Sequence, residues 1–285
     1  MADRCTKVTP QCPVEATVYG YRPNLGGNAF FLAIFAICTV VQIVLALKYR
    51  ARRSFSVVMA IGTAGEAIGY AGRVMMHSNP WSGPGFKTQI VCLIFCPTFL
   101  AAAIYLTLKH LVIHFGAIKS RLKPQLYTWI FVSCDIVSIL TQSAGGGVAA
   151  SAEDNPKTVE LGDNLMIAGL AFQVFTMFVC MCLAAEFGYK VYRQPVGVEK
   201  SRELSGKFNY YAICCSVAFV AIFIRCVYRL PEMAGGWGNS LMRNETAFMV
   251  LDGMMIAIAI ILLTIAHPAI FFPEASQNSL PRLGS

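Results

Sequence analysis

SFSVVMAIGTAGEAIGYAGRVMM, residues 54–76, reads as one apolar helix broken on a single side by Glu66, Tyr70 and Arg73. Residues three, four and seven apart share one face of a helix, so these three fall into one polar stripe. About 20 apolar residues are what a helix needs to cross about 30 Å of hydrocarbon, and this stretch has that length. An ionised side chain at the middle of such a helix costs roughly 2.5–3.5 kcal/mol on insertion scales. The stripe must therefore face other protein or a polar cavity, and that requires further helices around it.

Six more apolar blocks supply them, at about 27–47, 86–113, 124–148, 162–189, 207–230 and 246–271. The composition agrees, since the 285 residues are 56% hydrophobic and 13% charged, against about 25% charged in an ordinary globular domain. The sequence predicts an all-α, polytopic membrane protein with seven transmembrane helices. Residues 1–26 form a polar N-terminal segment, 27–272 the seven-helix domain and 273–285 a short tail. No apolar signal core is visible before residue 27, so the first helix is expected to serve as its own targeting signal.

The net charge of +8 is a matter of placement. Lys48, Arg50, Arg52 and Arg53 follow the first block, and Lys109, Lys119, Arg121 and Lys123 follow or close the third. Lys190, Arg193, Lys200, Arg202 and Lys207 join the fifth to the sixth. The alternate loops are poor in Lys and Arg, and Glu153, Asp154, Glu160 and Asp163 stand against Lys157 in one of them. The positive-inside rule then predicts the N-terminus outside and the C-terminus in the cytosol. The basic loops would meet anionic inner-leaflet lipid, which accounts for the charge without nucleic acid.

Nine of the eleven cysteines lie in or beside the apolar blocks, where a free thiol behaves as a small packing residue. Cys5 and Cys12 fall in the segment expected outside, where disulfides persist, and are the candidate bridged pair. Asn244-Glu245-Thr246 fits the glycosylation sequon, but it abuts the last helix too closely for modification to be expected.

The polar stripe of the second helix recurs. Asp135, Ser138 and Gln142 share a face of the fourth helix, and Arg225, Arg229 and Glu232 a face of the sixth. Glu245 and Asp252 stand seven apart at the seventh, Gln89 opens the third, and Gln173 lies within the fifth. In the expected topology nearly all of these lie between the midplane and the outer surface, which predicts a polar cavity open to the outside and closing near mid-membrane. Five acids (Glu66, Asp135, Glu232, Glu245, Asp252) face three bases (Arg73, Arg225, Arg229). Either some acids are protonated by desolvation, or the cavity suits a cation. The competing account is structural, with buried ion pairs fixing helix register.

Pro97 in the third helix frees a carbonyl and predicts a static kink. Gly145, Gly146 and Gly147 predict that the fourth helix ends or loosens there. Gly65, Gly69 and Gly72 predict close packing of the second.

Taken in order, GEAIGYAGR, Gln89 with CPTFLAAAIY, DIVSILTQSAGGG, GLAFQ, IRCVYRLPEMAGG, the Glu245–Asp252 spacing and the closing His267-Pro268 resemble the fungal lipid-translocating exporter family, seven-helix proteins named for resistance to aminocholesterol. The resemblance covers about residues 19–272. It departs at Met249, where the pattern leads one to expect Tyr. The resemblance implies a multi-pass protein of the plasma membrane or an internal membrane, export of sphingoid long-chain bases, and resistance to toxic amphiphiles. Some relatives are linked to porphyrin or haem traffic, which makes a porphyrin the alternative ligand; no cofactor is otherwise expected.

Three function classes fit these residues to different degrees. The leading one is a translocase for amphiphilic lipids, with Glu66, Tyr70, Arg73, Gln89, Asp135, Gln142, Gln173, Arg225, Arg229, Glu232, Glu245 and Asp252 as candidate substrate contacts. A cationic headgroup would enter the cavity while its tail stays in lipid. The chain has no G-x4-G-K-[ST] phosphate loop, so ATP does not drive it. A seven-helix receptor or lipid sensor is the alternative. A metal-dependent lipid hydrolase is disfavoured, because His77, His110, His114 and His267 are poorly placed to meet the acids, and no metal site is expected.

Overall fold

The computed structural model describes residues 5–49, 53–115, 124–151, 155–193, 202–236 and 238–271. Arg50, Arg52, Lys119, Arg121, Lys123, Lys200, Glu153, Asp154 and the tail at 273–285 lie outside the described residues, as do the side chains of His110, His114, Arg202 and Lys207. Seven long helices run in sequence: α1 (Leu25–Lys48), α2 (Arg53–Ser78), α3 (Gly83–Phe115), α4 (Pro124–Ser151), α5 (Pro156–Arg193), α6 (Arg202–Ala234) and α7 (Glu245–Ile265). A short helix, α8 (Pro268–Phe271), follows, and no strand occurs among the described residues. The fold is that of an all-α polytopic membrane protein.

Five of the helices, α1, α3, α5, α6 and α7, are long and apolar enough to cross a membrane, with mean hydropathy from 2.0 to 2.8. The other two, α2 and α4, have 26 and 28 residues, and their polar stripes and glycines lower their average. Large apolar side chains face outward around the bundle, among them Ile37, Leu47, Trp129, Leu140, Phe175 and Ile213. Such a surface suits lipid, where backbone polar groups are satisfied within each helix.

Local chemistry sets the helix ends. Asn24 caps α1, its Oδ1 accepting from the Gly27 N–H at 2.9 Å. Asn244 does the same for α7, accepting from the Ala247 N–H at 3.0 Å. The sequon asparagine thus spends its side chain on a cap, which satisfies one of the orphan N–H groups of a helix start. α7 stops at Ile265 because Pro268 cannot continue it and disfavours helix in the residue before. His267 then turns inward, its Nε2 2.7 Å from Ser56 Oγ.

Two expectations are corrected here. The glycine triplet does not end α4, which runs on to Ser151. Gly145 instead lets α5 approach, for a Cβ on Gly145 would lie 2.6 Å from the Gly162 carbonyl oxygen. The segment before α5 is also shorter than the apolar pattern implies, since the helix begins at Pro156 rather than near 162; Pro156 suits a first turn, where its missing N–H costs nothing. The packing expected of α2 is present: a Cβ on Gly72 would stand 2.8 Å from the Gly85 carbonyl oxygen of α3.

The N-terminal segment lies across one end of the bundle. Cys5 and Cys12 are joined by a disulfide with their Cα atoms 5.9 Å apart. The Trp81 indole N–H donates to the Cys12 carbonyl at 3.2 Å, and Asn79 Nδ2 to the Thr6 carbonyl at 2.8 Å. The segment is thereby tied to the α2–α3 turn before it enters α1.

Candidate functional site

The polar stripes meet inside the bundle in two groups. The first is ionic and joins α1, α2, α6 and α7. Its centre is Asp252, wholly buried, whose Oδ1 receives Arg229 Nε at 2.9 Å and stands 3.0 Å from Arg225 Nε. The Arg229 contact is an aligned hydrogen bond, while that of Arg225 is an ion contact without hydrogen-bond geometry. Arg229 also donates through Nη1 to Glu232 at 2.7 Å, one turn on along α6. Two arginines and two carboxylates so balance one another. Burying such charges is tolerated only with that pairing.

A π-helical turn at Met249–Met254 carries Asp252. Such turns insert a wider loop into an α-helix and are frequent at functional sites. Nothing in the spacing of Glu245 and Asp252 announces it. Met249, the residue that departs from the family pattern, lies against Gly27 of α1, so its side chain packs between helices.

Arg73 of α2 forms the end of this group nearest the N-terminal segment. Its Nε donates to Asn28 Oδ1 at 2.8 Å and an Nη to the Tyr21 hydroxyl at 3.1 Å, with Glu245 3.6 Å away. Glu245 in turn accepts from the Asn24 N–H at 2.6 Å. The Arg73 guanidinium lies 4.0 Å from the centre of the Phe248 ring and that of Arg229 5.4 Å from it. Phe248 thus joins the two arginines by cation–π contact. Tyr19 closes the end, accepting from Gln89 Nε2 at 2.6 Å. Burial pushes the Tyr19 phenol up to about 12 and raises Tyr21 as well.

Glu66 and Tyr70 belong to the same region but bond to nothing in it. Both are 0% exposed. Among the described residues neither Glu66 oxygen has a hydrogen-bond partner, and neither does the Tyr70 hydroxyl. Glu66 faces Arg225, Arg229 and Asp252 without reaching them. Tyr70 packs between Phe31 and Phe35 of α1, and its hydroxyl abuts Gly253 in the π turn.

The second group is neutral and joins α3, α4 and α5. Ser138 donates to the Gly169 carbonyl at 2.6 Å. Gln142 Nε2 donates to Ser138 Oγ at 2.8 Å and to Gln173 Oε1 at 3.1 Å, and Gln173 Nε2 to Thr98 Oγ1 at 3.0 Å. Asp135 sits beside Tyr105, also buried, and neither its oxygens nor that phenol completes a hydrogen bond among the described residues.

The twelve candidate residues are therefore brought together, but as packed clusters rather than as the walls of an open polar well. Eleven are buried, and Glu245 is partly exposed. The arginine partners explain the closure, since each unpaired charge would otherwise face hydrocarbon. The open volume lies to one side: a cavity of about 680 Å³ between α3, α4, α5 and α6, reached by Gln142, Arg225 and Arg229 of the twelve. Its remaining wall is largely apolar, with Ile90, Ile94, Phe95 and Leu170.

Sequence reasoning missed Tyr19, Tyr21 and Asn28 as partners of the stripes. The two tyrosines lie outside the apolar blocks, and a lone Asn at a helix start carries little signal. It also missed Lys87 at the cavity wall and Tyr105 beside Asp135.

The family profile described as "RTA1 like protein" matches residues 59–275. The sphingoid long-chain base transporter RSB1 of Saccharomyces cerevisiae (strain Lalvin EC1118 / Prise de mousse) is 31% identical over 92% of this chain and 76% of its own length. Protein RTA1 of Saccharomyces cerevisiae is 24% identical over 92% of this chain and 88% of its own. The lipid-translocating exporter-like protein RTA1 of Leptosphaeria maculans is 26% identical over 97% of this chain and 56% of its own. No solved structure matches. The stripe of α2, the acids of α4 and α7 and the arginines of α6 all fall within the matched span, and the chain belongs to the RTA1-like family.

Proposed function

We propose that this protein is a membrane transporter that moves single-chain amphiphiles of the sphingoid long-chain-base class across the bilayer. The observation that carries the proposal is the 31% identity, over 92% of this chain, to a protein named as a sphingoid long-chain base transporter. The site supports it in two respects. Charged side chains deep in membrane helices mark substrate pathways, and here two carboxylates, Glu66 and Asp135, have no hydrogen-bond partner among the described residues. The largely apolar cavity between α3, α4, α5 and α6, with Arg225 and Arg229 on its wall, offers room for a chain.

In this proposal the N-terminal segment is outside, the C-terminus is cytosolic and the membrane is the plasma membrane. Glu66, Asp135 and Asp252 are the acids that meet the ammonium headgroup, with Tyr70, Gln89, Gln142 and Gln173 beside its path. Arg225 and Arg229 hold Asp252 in place until the headgroup competes for it, while Glu232 braces Arg229 and Glu245 lies beside Arg73. No catalytic step is assigned. The basic loops rest on anionic inner-leaflet lipid.

The test is movement of a fluorescent sphingoid base across liposomes containing the purified protein, wild type beside Asp135→Asn. Faster crossing with wild type, lost in the variant, is the expected result. Binding of the base without faster crossing would replace the transporter by a receptor.

A further inference from the structure

The cavity between α3, α4, α5 and α6 carries the wrong charge for a site that reads only an ammonium group. Lys87, Arg225 and Arg229 all reach its wall, and no carboxylate lines it among the described residues. Arg225 and Arg229 are matched by Asp252 and Glu232, which leaves Lys87, exposed and without an ion pair among the described residues, as the surplus charge. Arg229 is 5% exposed and has used Nε and Nη1, yet its Nη2 has no partner among the described residues. A buried guanidinium N–H left without an acceptor suits an oxyanion able to accept several hydrogen bonds at once.

The shape limits the rest of the ligand. At about 680 Å³ the cavity is in the range that takes one small ligand, about 300–1,000 Å³. Ile90, Ile94, Phe95 and Leu170 give it the apolar length for one alkyl chain. Gly147 opens the α4 wall, since a Cβ placed on it would meet nothing within 4 Å. A second hollow of about 620 Å³ shares Val159 and Met233 with the first and has Glu160 and Asp163 on its wall.

We propose that this cavity binds a single-chain amphiphile bearing a phosphate, with the phosphate on Lys87, Arg229 and Arg225 and the chain along Ile90, Ile94, Phe95 and Leu170. The shared chemistry is a phosphate monoester on one long chain, as in a phosphorylated sphingoid base or a lysophosphatidic acid. An ammonium on the same headgroup is directed to Glu160 and Asp163. The proposal goes beyond transport of the unphosphorylated base, and it stands on the cavity rather than on the identity of what is moved.

The experiment measures binding of radiolabelled phosphorylated sphinganine to the full chain in phosphatidylcholine nanodiscs, with unlabelled competitors. Lys87→Gln is expected to weaken binding about threefold, as an exposed charge contact does. Gly147→Leu fills the cavity and is expected to weaken it about tenfold or more. Both variants should keep the wild-type unfolding temperature. Displacement by lysophosphatidic acid as well as by the phosphorylated base supports a site for any single-chain phosphate; displacement by the phosphorylated base alone supports one that reads the ammonium too. Equal binding by wild type and both variants, or equal displacement by plain sphinganine, overturns the proposal. Transport of the base is measured on the same preparation. Transport without phosphate binding removes this proposal alone, and phosphate binding without transport removes the transport proposal alone.

Discussion

Pro97 and Arg225 are joined through one carbonyl. Pro97 has no N–H, so the Leu93 carbonyl one turn before it lacks its helical donor, and Arg225 of α6 donates to that oxygen. α3 stays helical through the proline from Gly83 to Phe115. The residue that would ordinarily break a helix instead supplies a fixed acceptor for a buried arginine.

Pro97→Ala should therefore separate stability from activity. Restoring an N–H at position 97 returns the Leu93 carbonyl to its own helix and removes a helix-interior proline, which costs about 3 kcal/mol. Arg225 loses sole use of its acceptor. The variant is expected to unfold at a higher temperature while transporting amphiphile more slowly. Equal transport by the two proteins would reduce the Pro97–Arg225 link to packing.

Asp252→Asn should act in the opposite sense on stability. It leaves Arg225, which is buried, without an ion partner among the described residues, and Arg229, also buried, with Glu232 alone. Removing one partner of a buried pair costs about 3–5 kcal/mol. The expected result is a large drop in thermal midpoint in detergent, partly recovered in a double variant that also carries Arg225→Met. If Asp252→Asn unfolds with the wild type, the ionic group is not what holds α6 to α7.

Glu66→Gln should leave the fold intact. The carboxylate already lacks hydrogen-bond partners among the described residues, so the amide gives up no bond and removes a charge-bearing group from a buried site. Its thermal midpoint is expected to equal or exceed that of wild type, while transport of a cationic amphiphile falls. A loss of stability comparable to that of Asp252→Asn would show Glu66 to be a structural counter-ion.

The contrast among these residues shows how far the sequence could be read. That Glu66, Asp135, Arg225, Arg229 and Asp252 turn inward follows from the cost of charge in lipid, and helical spacing alone groups them by helix. Which of them pair does not follow. Pairing depends on the π turn that sets Asp252 and on the lateral contact between α6 and α3, and neither leaves a periodic trace. The glycines of α4 show the same limit. The glycine run suggested that α4 ends or loosens there, whereas the helix continues, Gly145 serves close approach to α5 and Gly147 borders the cavity. The candidate set was legible; its division into bonded and unbonded members required distances.

Tyr19 offers a check on the packing of the N-terminal segment over the site, with a sign that can be worked out. Its phenol is raised from 10.0 to about 12 by burial. Between those values the unfolded chain has released a proton that the folded protein still holds. Stability is then fully present below about pH 10 and falls as pH rises toward 12, by about 1.4 kcal/mol per unit from this one group. Tyr19→Phe removes the titration and also the acceptor of Gln89 Nε2, which costs about 1 kcal/mol at neutral pH. The variant should therefore start less stable near pH 8 and lose less between about pH 10 and 11, with unfolding followed by Trp fluorescence. Parallel curves for the two proteins would mean that the phenol is open to water and that the segment does not close this end of the bundle.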